Sequence, residues 1–472
     1  MTSPSAGAAI SVLISPPPAS WPPVIRSPAT EAKAFRHELG LAVDHPIVMS
    51  GHQAGFWHSG IAAKWIAAQV AAKRYQGSAA WLTVDQDIND AVAIRIPTRT
   101  SASNLGGNLG GNLGEVTWRL DASTGPINDR PTAFIPSFDP APFTLPSPLA
   151  GTTTAAGLTA ISEALKRCQP SPSAAAQLAT AATALLAEWT NLPACPQVMA
   201  TALATTTAFA AIIDAMKRDL ARCVQTYNAA ARSVRAPGIG SLRGSDLGAD
   251  NAELPLWSLD RQTGLRRPVT IKTLTQVPIA DLAPKALLMT GLVRHLGCDL
   301  FIHGTGGGAS DAEGGYDKVA ERWLASWLGW TLAPSVVVSA TMRLDLATGP
   351  VVTDDDVNLA AMHIHRARHT PSLLGDDAAQ LRKRELLLDI NKRGLSRSQR
   401  DKPFRALHAL LATVRTLHAN ALTARQAKLA DLSAARDRDL LAADRTWPFP
   451  LHGPERIADL ASDLRAKLAA SR

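Results

Sequence analysis

Residues 46–60 read Pro46-Ile47-Val48-Met49-Ser50-Gly51-His52-Gln53-Ala54-Gly55-Phe56-Trp57-His58-Ser59-Gly60, and this stretch decides the fold class. Its first half is a short apolar run that stops at Gly51, as a buried strand does. Ile61–Tyr75 then spaces Ala, Ile, Trp and Val as a helix would, with Gly77 just past the end. Ala79–Val84 is a second apolar run, so strand, helix and strand follow within about 40 residues. That order predicts a right-handed parallel crossover and an α/β fold. A second crossover is predicted from helix Ala286–Leu296, strand Asp299–His303, a glycine-rich loop, helix Tyr316–Leu328 and strand Val336–Ser339.

Between the two units, Thr152 to Arg235 reads as helical, with breaks at Pro170-Ser171-Pro172 and Pro193. Its last segment, Pro196–Val234, is long enough for one helix of about 55 Å. Residues 250–275 read as strands around Leu254–Trp257 and Val269–Ile271. After residue 354 the pattern is helical. Gln399–Ala443 contains one unbroken run after Pro403, with Leu407, Leu410, Leu411, Val414, Leu417 and Leu422 roughly on one face. Paired with Ala378–Lys392 across the Gly394–Ser398 turn, it reads as a helical hairpin of coiled-coil type.

Composition narrows the class. A chain of 472 residues suggests two or three domains, and 46% hydrophobic with 19% charged residues excludes wholesale disorder. No run of 18 apolar residues occurs, so a membrane span is not expected. The Pro-punctuated start has no basic residue before Arg26, unlike a secretion signal, so a cytoplasmic protein is expected. Cys168, Cys195, Cys223 and Cys298 lie far apart with no CxxC and read as buried thiols. The net charge of +8 is local: residues 361–472 hold 21 Lys/Arg against 12 Asp/Glu. That balance suits either a phosphate or nucleic-acid face or, as the plainer reading, a solvated helix surface.

Chemistry concentrates after the strands. Gly51, Gly55 and Gly60 let backbone approach a ligand, the next helix offers free N–H groups, His52 can supply a charged donor there, and Lys64 lies one turn into the helix. Asp85-Gln86-Asp87-Ile88-Asn89-Asp90 places three carboxylates where they could hold Mg²⁺ or orient an amine, or simply form an Asx-rich turn. His303-Gly304-Thr305-Gly306-Gly307-Gly308-Ala309 fits the dinucleotide fingerprint loosely. It runs too far before its helix for an NAD site and reads as a loop covering phosphate or substrate. Asn104–Gly114, a repeated NLGG tract, reads as an expanded loop. His363, His365 and His369 sit among Arg366 and Arg368, which repel cations, so no metal site is expected there.

The loop Gly51-His52-Gln53-Ala54-Gly55 with Gly60 and Lys64, followed by Asp85-Gln86-Asp87, resembles the bacillithiol-biosynthesis cysteine-adding ligase family. That family has a G-Q-Q-x-G loop, a G…K helix start and an E-D-H-D segment after the next strand. Leu282-Ala283-Pro284-Lys285 through Arg294 is similar to its S-P-R…R-P stretch. His303-Gly304-Thr305-Gly306-Gly307 through Tyr316-Asp317 is similar to its G-G-x-G-E…Y segment. The chain departs from the pattern at His52, at Gln86, at Lys285 and in an insertion over Gly308–Gly315 carrying Asp311 and Glu313. It reads as a divergent branch.

The resemblance implies a Rossmann-like parallel-sheet core, a helical connecting region and a C-terminal helical hairpin. The divisions are a disordered Pro-rich tail over 1–30, core halves over 31–150 and 241–353, and connecting helices over 151–240. The hairpin covers 354–446 and a last helix 447–472. The implied reaction joins the carboxylate of cysteine to the amine of a glucosaminyl malate or similar amine, with ATP activation and optional Mg²⁺. In that scheme His52 and the Gly51 and Gly55 N–H groups stabilise phosphate charge, Lys64 holds a phosphate or carboxylate, and Asp85 or Asp87 serves the amine as binder or base. Lys285 and Arg294 recognise a carboxylate. Gln53, His303, Gly304, Gly306, Gly307, Tyr316 and Asp317 complete the binding set. A homodimer through the hairpin is expected, without membrane or nucleic-acid partners. A nucleotidyltransferase and a non-catalytic scaffold with a basic nucleic-acid-binding face are the alternatives.

Overall fold

The computed structural model describes residues 10–22, 29–99, 113–123, 129–143, 153–234, 236, 238–244, 251–305, 315–346 and 350–469. The protein is mixed α/β and divides into two compact units. One comprises Ala8–Ile96, Val116–Asp345 and Arg445–Arg472, and the other is built on Leu346–Asp444.

The larger unit holds a six-stranded, mostly parallel sheet. Its strands are β1 (Ser11–Ser15), β2 (Ile47–Gln53), β3 (Ser78–Val84), β6 (Gln197–Met199), β10 (Leu300–His303) and β11 (Ser335–Thr341), in spatial order β1-β11-β10-β2-β3-β6. The chain leaves β2 through α2 (Ser59–Arg74) to reach β3 on one side. It leaves β10 through α8 (Tyr316–Leu328) to reach β11 on the other. The two crossovers diverge, so a crevice opens between the carboxyl ends of β2 and β10, where open α/β sheets place ligands.

Packing explains the sequences of both helices. Met49, Leu82 and Phe301 join one apolar cluster with Val319, Trp323 and Leu324 of α8. Helix α2 lies against β2, β3 and β11 and is covered by α13 (Pro454–Ala469). Thirteen of its 16 residues are buried, which accounts for an Ala-rich sequence without a polar face and makes its buried Lys64 an anomaly. At the opposite end of the strands, buried Arg36 of α1 (Thr30–Glu38) reaches Asp299 at 2.8 Å, and the same carboxylate oxygen accepts the Ile47 N–H at 2.8 Å. That pair ties β2 and β10 in register.

Several expectations are corrected. Ser11–Ser15, inside the expected tail, pairs antiparallel with β11 (Ser11 opposite Thr341, Ser15 opposite Val337). Edge strands tolerate flanking prolines, and those prolines hid it. Pro196–Val234 is not one helix. It forms β6, a 3₁₀ turn over Ala200–Thr205, α5 (Thr207–Arg218) and α6 (Leu220–Ser233), with Thr206 and Asp219 capping the last two. The helix expected over Ala286–Leu296 is α7 (Ala286–Leu292), closed by a π turn over Val293–Gly297. As expected, the breaks around Pro170 and Pro193 bound α3 (Thr153–Arg167) and α4 (Ala174–Thr190).

A ribbon of β4 (Ala93–Arg99) and β5 (Leu113–Arg119) and an antiparallel sheet of β8 (Leu265–Thr270), β7 (Glu253–Asp260) and β9 (Leu282–Pro284) complete the strands. The NLGG tract lies outside the described residues apart from its last two positions, which begin β5. Among the cysteines, Cys223 and Cys298 are buried, whereas Cys168 and Cys195 are only partly so; all four are free thiols.

The other unit is helical: α9 (Asp354–Ala367), α10 (Asp377–Ile390), α11 (Arg397–Leu417) and α12 (Ala419–Ala443). α9 packs on α12 and α10 on α11. The run expected to be unbroken to Ala443 is interrupted at His418, and Pro403 lies inside α11 instead of preceding it. His369 falls beyond the end of α9, so the three histidines do not share one helix. Among the described residues, no helix is long and apolar enough to cross a membrane.

Candidate active site at the sheet crevice

The crevice between β2 and β10 opens into a cleft of about 530 Å³. Of the residues singled out from sequence, Gly51, His52, Gln53, Lys64, Asp87, His303, Gly304 and Tyr316 line it. They come from the ends of β2, β3 and β10 and from α2 and α8, so the two crossovers converge on one site. Phe301, Met289 and Ala286 form its apolar wall.

Lys64 dominates the electrostatics. Its side chain is 5% exposed, and its stem lies against Gly304. The Nζ donates to the Gly51 carbonyl at 2.7 Å and sits 5.8 Å from the Trp81 ring centroid. It makes no ion pair among the described residues. Burial alone lowers its pKa from 10.5 to about 7. A lysine placed this way is under-solvated and gains from any anion that enters the cleft.

Three residues outside the sequence-derived set reinforce it. His58 caps α2, its Nδ1 accepting the Gly60 N–H at 3.0 Å. Arg445 donates to Ser339 Oγ at 3.0 Å, and both line the cleft. Arg445 arrives because its segment is stitched to the loop before α2. His58 bridges Pro448, and the Phe449 N–H donates to the Trp57 carbonyl at 2.6 Å. Nothing local marks Arg445, which is 381 positions from Lys64 in the chain. His58 stood in the quoted loop, but histidine is not among the usual helix-capping residues, so its type did not announce the cap.

His52 is corrected in its role. Burial, with Lys64 and His58 nearby, pushes its pKa down to about 3, so near neutral pH it is an uncharged imidazole. Its Nδ1 is buried without a hydrogen-bond partner. It can offer a neutral donor or acceptor to a ligand, not a positive charge.

The carboxylates separate. Asp85 is 3% exposed and lies outside the cleft, its two oxygens taken by the Thr201 N–H at 2.9 Å and the Thr201 hydroxyl at 2.5 Å. Burial raises its pKa, and those hydrogen bonds work against the rise. Its place is structural, tying the end of β3 to the turn after β6. Asp87 faces the cleft but is engaged on both oxygens, by Arg266 at 2.7 Å and by the Gln53 amide at 3.0 Å. Arg119 holds Asp90 at 2.8 and 3.2 Å.

Lys285 and Arg294 are also displaced from their expected role. Lys285 pairs with Glu253 at 2.8 Å over the Trp257 ring. Arg294, 1% exposed, binds the Ala333 carbonyl, Glu321 at 2.7 Å and, more distantly, Asp317 at 3.5 Å. Neither lines the cleft. Gly55 lies outside it as well, and Gly306 and Gly307 fall outside the described residues.

Behind the cleft wall, His303 Nε2 lies 2.8 Å from Asp317 Oδ1, a short contact without good hydrogen-bond alignment. His303 Nδ1 lies 3.3 Å from the Tyr316 hydroxyl. Burial raises the carboxyl pKa of Asp317, but His303 and Arg294 outweigh it and hold it below the ordinary value.

Among the described residues, no three His, Cys, Asp or Glu side chains converge as metal ligands. The donor set suits a polyanion: one lysine without an acidic partner, one arginine and uncharged imidazole. The chain matches no known family model, no curated protein and no solved structure.

Proposed function

We propose that the larger unit is an amide-forming ligase that uses a nucleotide phosphate to activate a carboxylate, on a Rossmann-like core. The observation that carries this reading is Lys64, buried beside the crevice without a carboxylate, with Arg445 on the same cleft. The diverging crossovers on either side of that crevice support the Rossmann-like description. The resemblance of the His52 and His303 loops to the bacillithiol-synthesis cysteine ligases supplies the substrates: cysteine as acyl donor, and a glucosaminyl malate or similar amine as acceptor.

ATP fits the donor set as the phosphate source. In such a reaction a carboxylate oxygen attacks phosphorus and displaces ADP or pyrophosphate. The amine then attacks the acyl carbon, expels phosphate or AMP, and loses a proton. Lys64 and Arg445 would hold the phosphate oxygens and neutralise charge gathering there. His52, uncharged, would donate one N–H to the same group. Asp87, locked by Arg266 and Gln53, would shape the amine side of the cleft. A magnesium ion would come with the nucleotide's own phosphates.

The α9–α12 and α10–α11 pairings support reading the helical unit as a hairpin. The exposed Leu381, Leu388 and Phe404 support self-association through it. Leu381→Lys with Leu388→Lys is expected to convert a dimer to a monomer in sedimentation; a wild-type monomer removes that element of the proposal.

Thermal-shift titration with ATP, ADP, cysteine and glucosaminyl malate tests the function. A ligand that binds only the folded state stabilises it by mass action, by about 2.7 kcal/mol at a hundredfold excess over Kd, and so raises Tm. ATP is expected to raise Tm, and Arg445→Ala to weaken its binding by about tenfold through loss of one charge-assisted contact. If none of the four compounds moves Tm, the ligase reading is wrong. A product that retains the nucleotide would point instead to a nucleotidyltransferase.

A further inference from the structure

Attack by an amine needs a base, and the residues first expected to supply it are occupied. Asp85 is held by Thr201, and Asp87 by Arg266 and Gln53. His52 gives up its proton near pH 3 and cannot retain one taken from an ammonium group. One chain of groups on the cleft is arranged differently. Tyr316 and His303 both line it, the Tyr316 hydroxyl lies 3.3 Å from His303 Nδ1, and His303 Nε2 lies 2.8 Å from buried Asp317.

We propose that Tyr316, His303 and Asp317 form a proton relay that deprotonates the attacking amine. The inference rests on the ligase reading for the identity of the amine, not for the relay's geometry. The ammonium N–H breaks as its proton passes to the Tyr316 oxygen. The Tyr316 O–H proton moves to His303 Nδ1, and the resulting imidazolium is held by Asp317. One proton enters the relay and one resides on His303, so no other reactant is required. The proton returns to solvent or to the leaving phosphate after the amide forms. Tyr316 is the catalytic residue, because its hydroxyl meets the substrate. His303 and Asp317 act through it.

The surrounding charges suit that cycle. Arg294 lies between Asp317 and Glu321, at 3.5 and 2.7 Å, so two carboxylates face one guanidinium. With Lys318, which joins Glu321 at 2.8 Å, the fixed charges of this cluster balance, and an imidazolium on His303 would rest directly against Asp317. The Lys318 side chain is partly exposed, so solvent screens it more than it screens buried Arg294 and Asp317. Lys64, whose stem borders Gly304, is the other cation on this side of the cleft. The imperfect alignment of the His303–Asp317 contact matches a resting relay, since such bonds tighten once charge develops. Burial raises the Tyr316 pKa, so its hydroxyl conducts the proton as a neutral phenol and does not wait as phenolate.

Tyr316→Phe, His303→Gln and Asp317→Asn test the relay in the full chain. Tyr316→Phe keeps the ring and removes one oxygen, so it should fold. Its kcat is expected to fall about 10²–10³-fold, with KM for ATP and the ATP thermal shift unchanged. His303→Gln and Asp317→Asn are each expected to lower kcat while leaving the KM for ATP unchanged, a split that a merely structural role would not give. A Tyr316→Phe enzyme with full kcat would overturn the proposal. If wild type shows no turnover, the ligase reading fails and the relay is judged by ¹⁵N spectra of the histidine rings. Near pH 7.5 an unprotonated His303 Nδ1 with a protonated Nε2 upholds it, and the opposite tautomer refutes it.

Discussion

Lys64→Met is expected to abolish anion binding in the cleft while making the protein more stable. The two effects share one cause. The native lysine gives up its proton near pH 7, whereas the unfolded chain keeps it to about 10.5. Between those values the unfolded state binds more protons, so stability from this group rises with pH across the window. Below pH 7 the folded protein bears the full cost of a buried ammonium. That cost is on the order of 5 kcal/mol, reduced by about 1 for the Gly51 carbonyl that methionine would leave without its donor. Met fills nearly the same volume, so a rise in Tm of about 5 °C near pH 7 is expected, shrinking toward pH 10. Affinity for ATP or inorganic phosphate should fall about a hundredfold with the loss of a buried charged contact. Wild-type affinity should also weaken above pH 7, where the free lysine must take up a proton to bind. Thermal melts from pH 6 to 10, with and without ligand, read both effects. A variant that is less stable at pH 7 yet still binds phosphate would show that Lys64 is a packing residue.

The legible parts of this molecule are those whose signals are local. Strand β2, helix α2 and strand β3 follow from one apolar run, one helical spacing and a glycine, and β10, α8 and β11 follow in the same way. Strand β1 was hidden because an edge strand needs only a few half-buried residues and tolerates neighbouring prolines. Strand β6 was hidden because three residues beside an Ala/Thr-rich stretch carry no period. In the site, positions near strand ends were legible because open sheets collect ligands there. Residue type was a poorer guide to role. Asp85, Lys285 and Arg294 carry the expected charges, yet each is spent on a neighbour that only tertiary packing supplies. Arg445 and Ser339 reach the cleft from distant segments, with no local motif to announce them.

Gly51→Ala and Gly60→Ala are expected to fail in opposite ways, although both glycines belong to the same loop and helix start. A Cβ at residue 51 would collide with the Leu82 carbonyl oxygen and lie 2.7 Å from Leu82 Cβ. Those atoms belong to the facing strand, which pairs with β2 from Ile47 opposite Ser78 through Gln53 opposite Val84. Relief requires separating two central strands. A loss of about 3 kcal/mol or more follows, about 4 °C or more in Tm for a unit of this size, with ligand binding lost only because the fold is lost. A Cβ at residue 60 would meet His58 Cε1 at 2.8 Å, Ser339 Oγ at 2.8 Å and Arg445 Nη2 at 2.9 Å. Those are side-chain atoms on the cleft, and they can move. Helix propensity favours alanine over glycine by up to about 1 kcal/mol, which offsets the crowding. Gly60→Ala should therefore melt within a few degrees of wild type but bind ATP about tenfold more weakly, because its methyl displaces the Arg445 guanidinium. Circular-dichroism melts beside phosphate or ATP titrations separate the cases. Wild-type affinity in Gly60→Ala would mean that Arg445 does not touch the ligand. A Gly51→Ala protein of native stability would show that β2 and β3 can part without cost, and that the glycine serves the ligand and not the sheet.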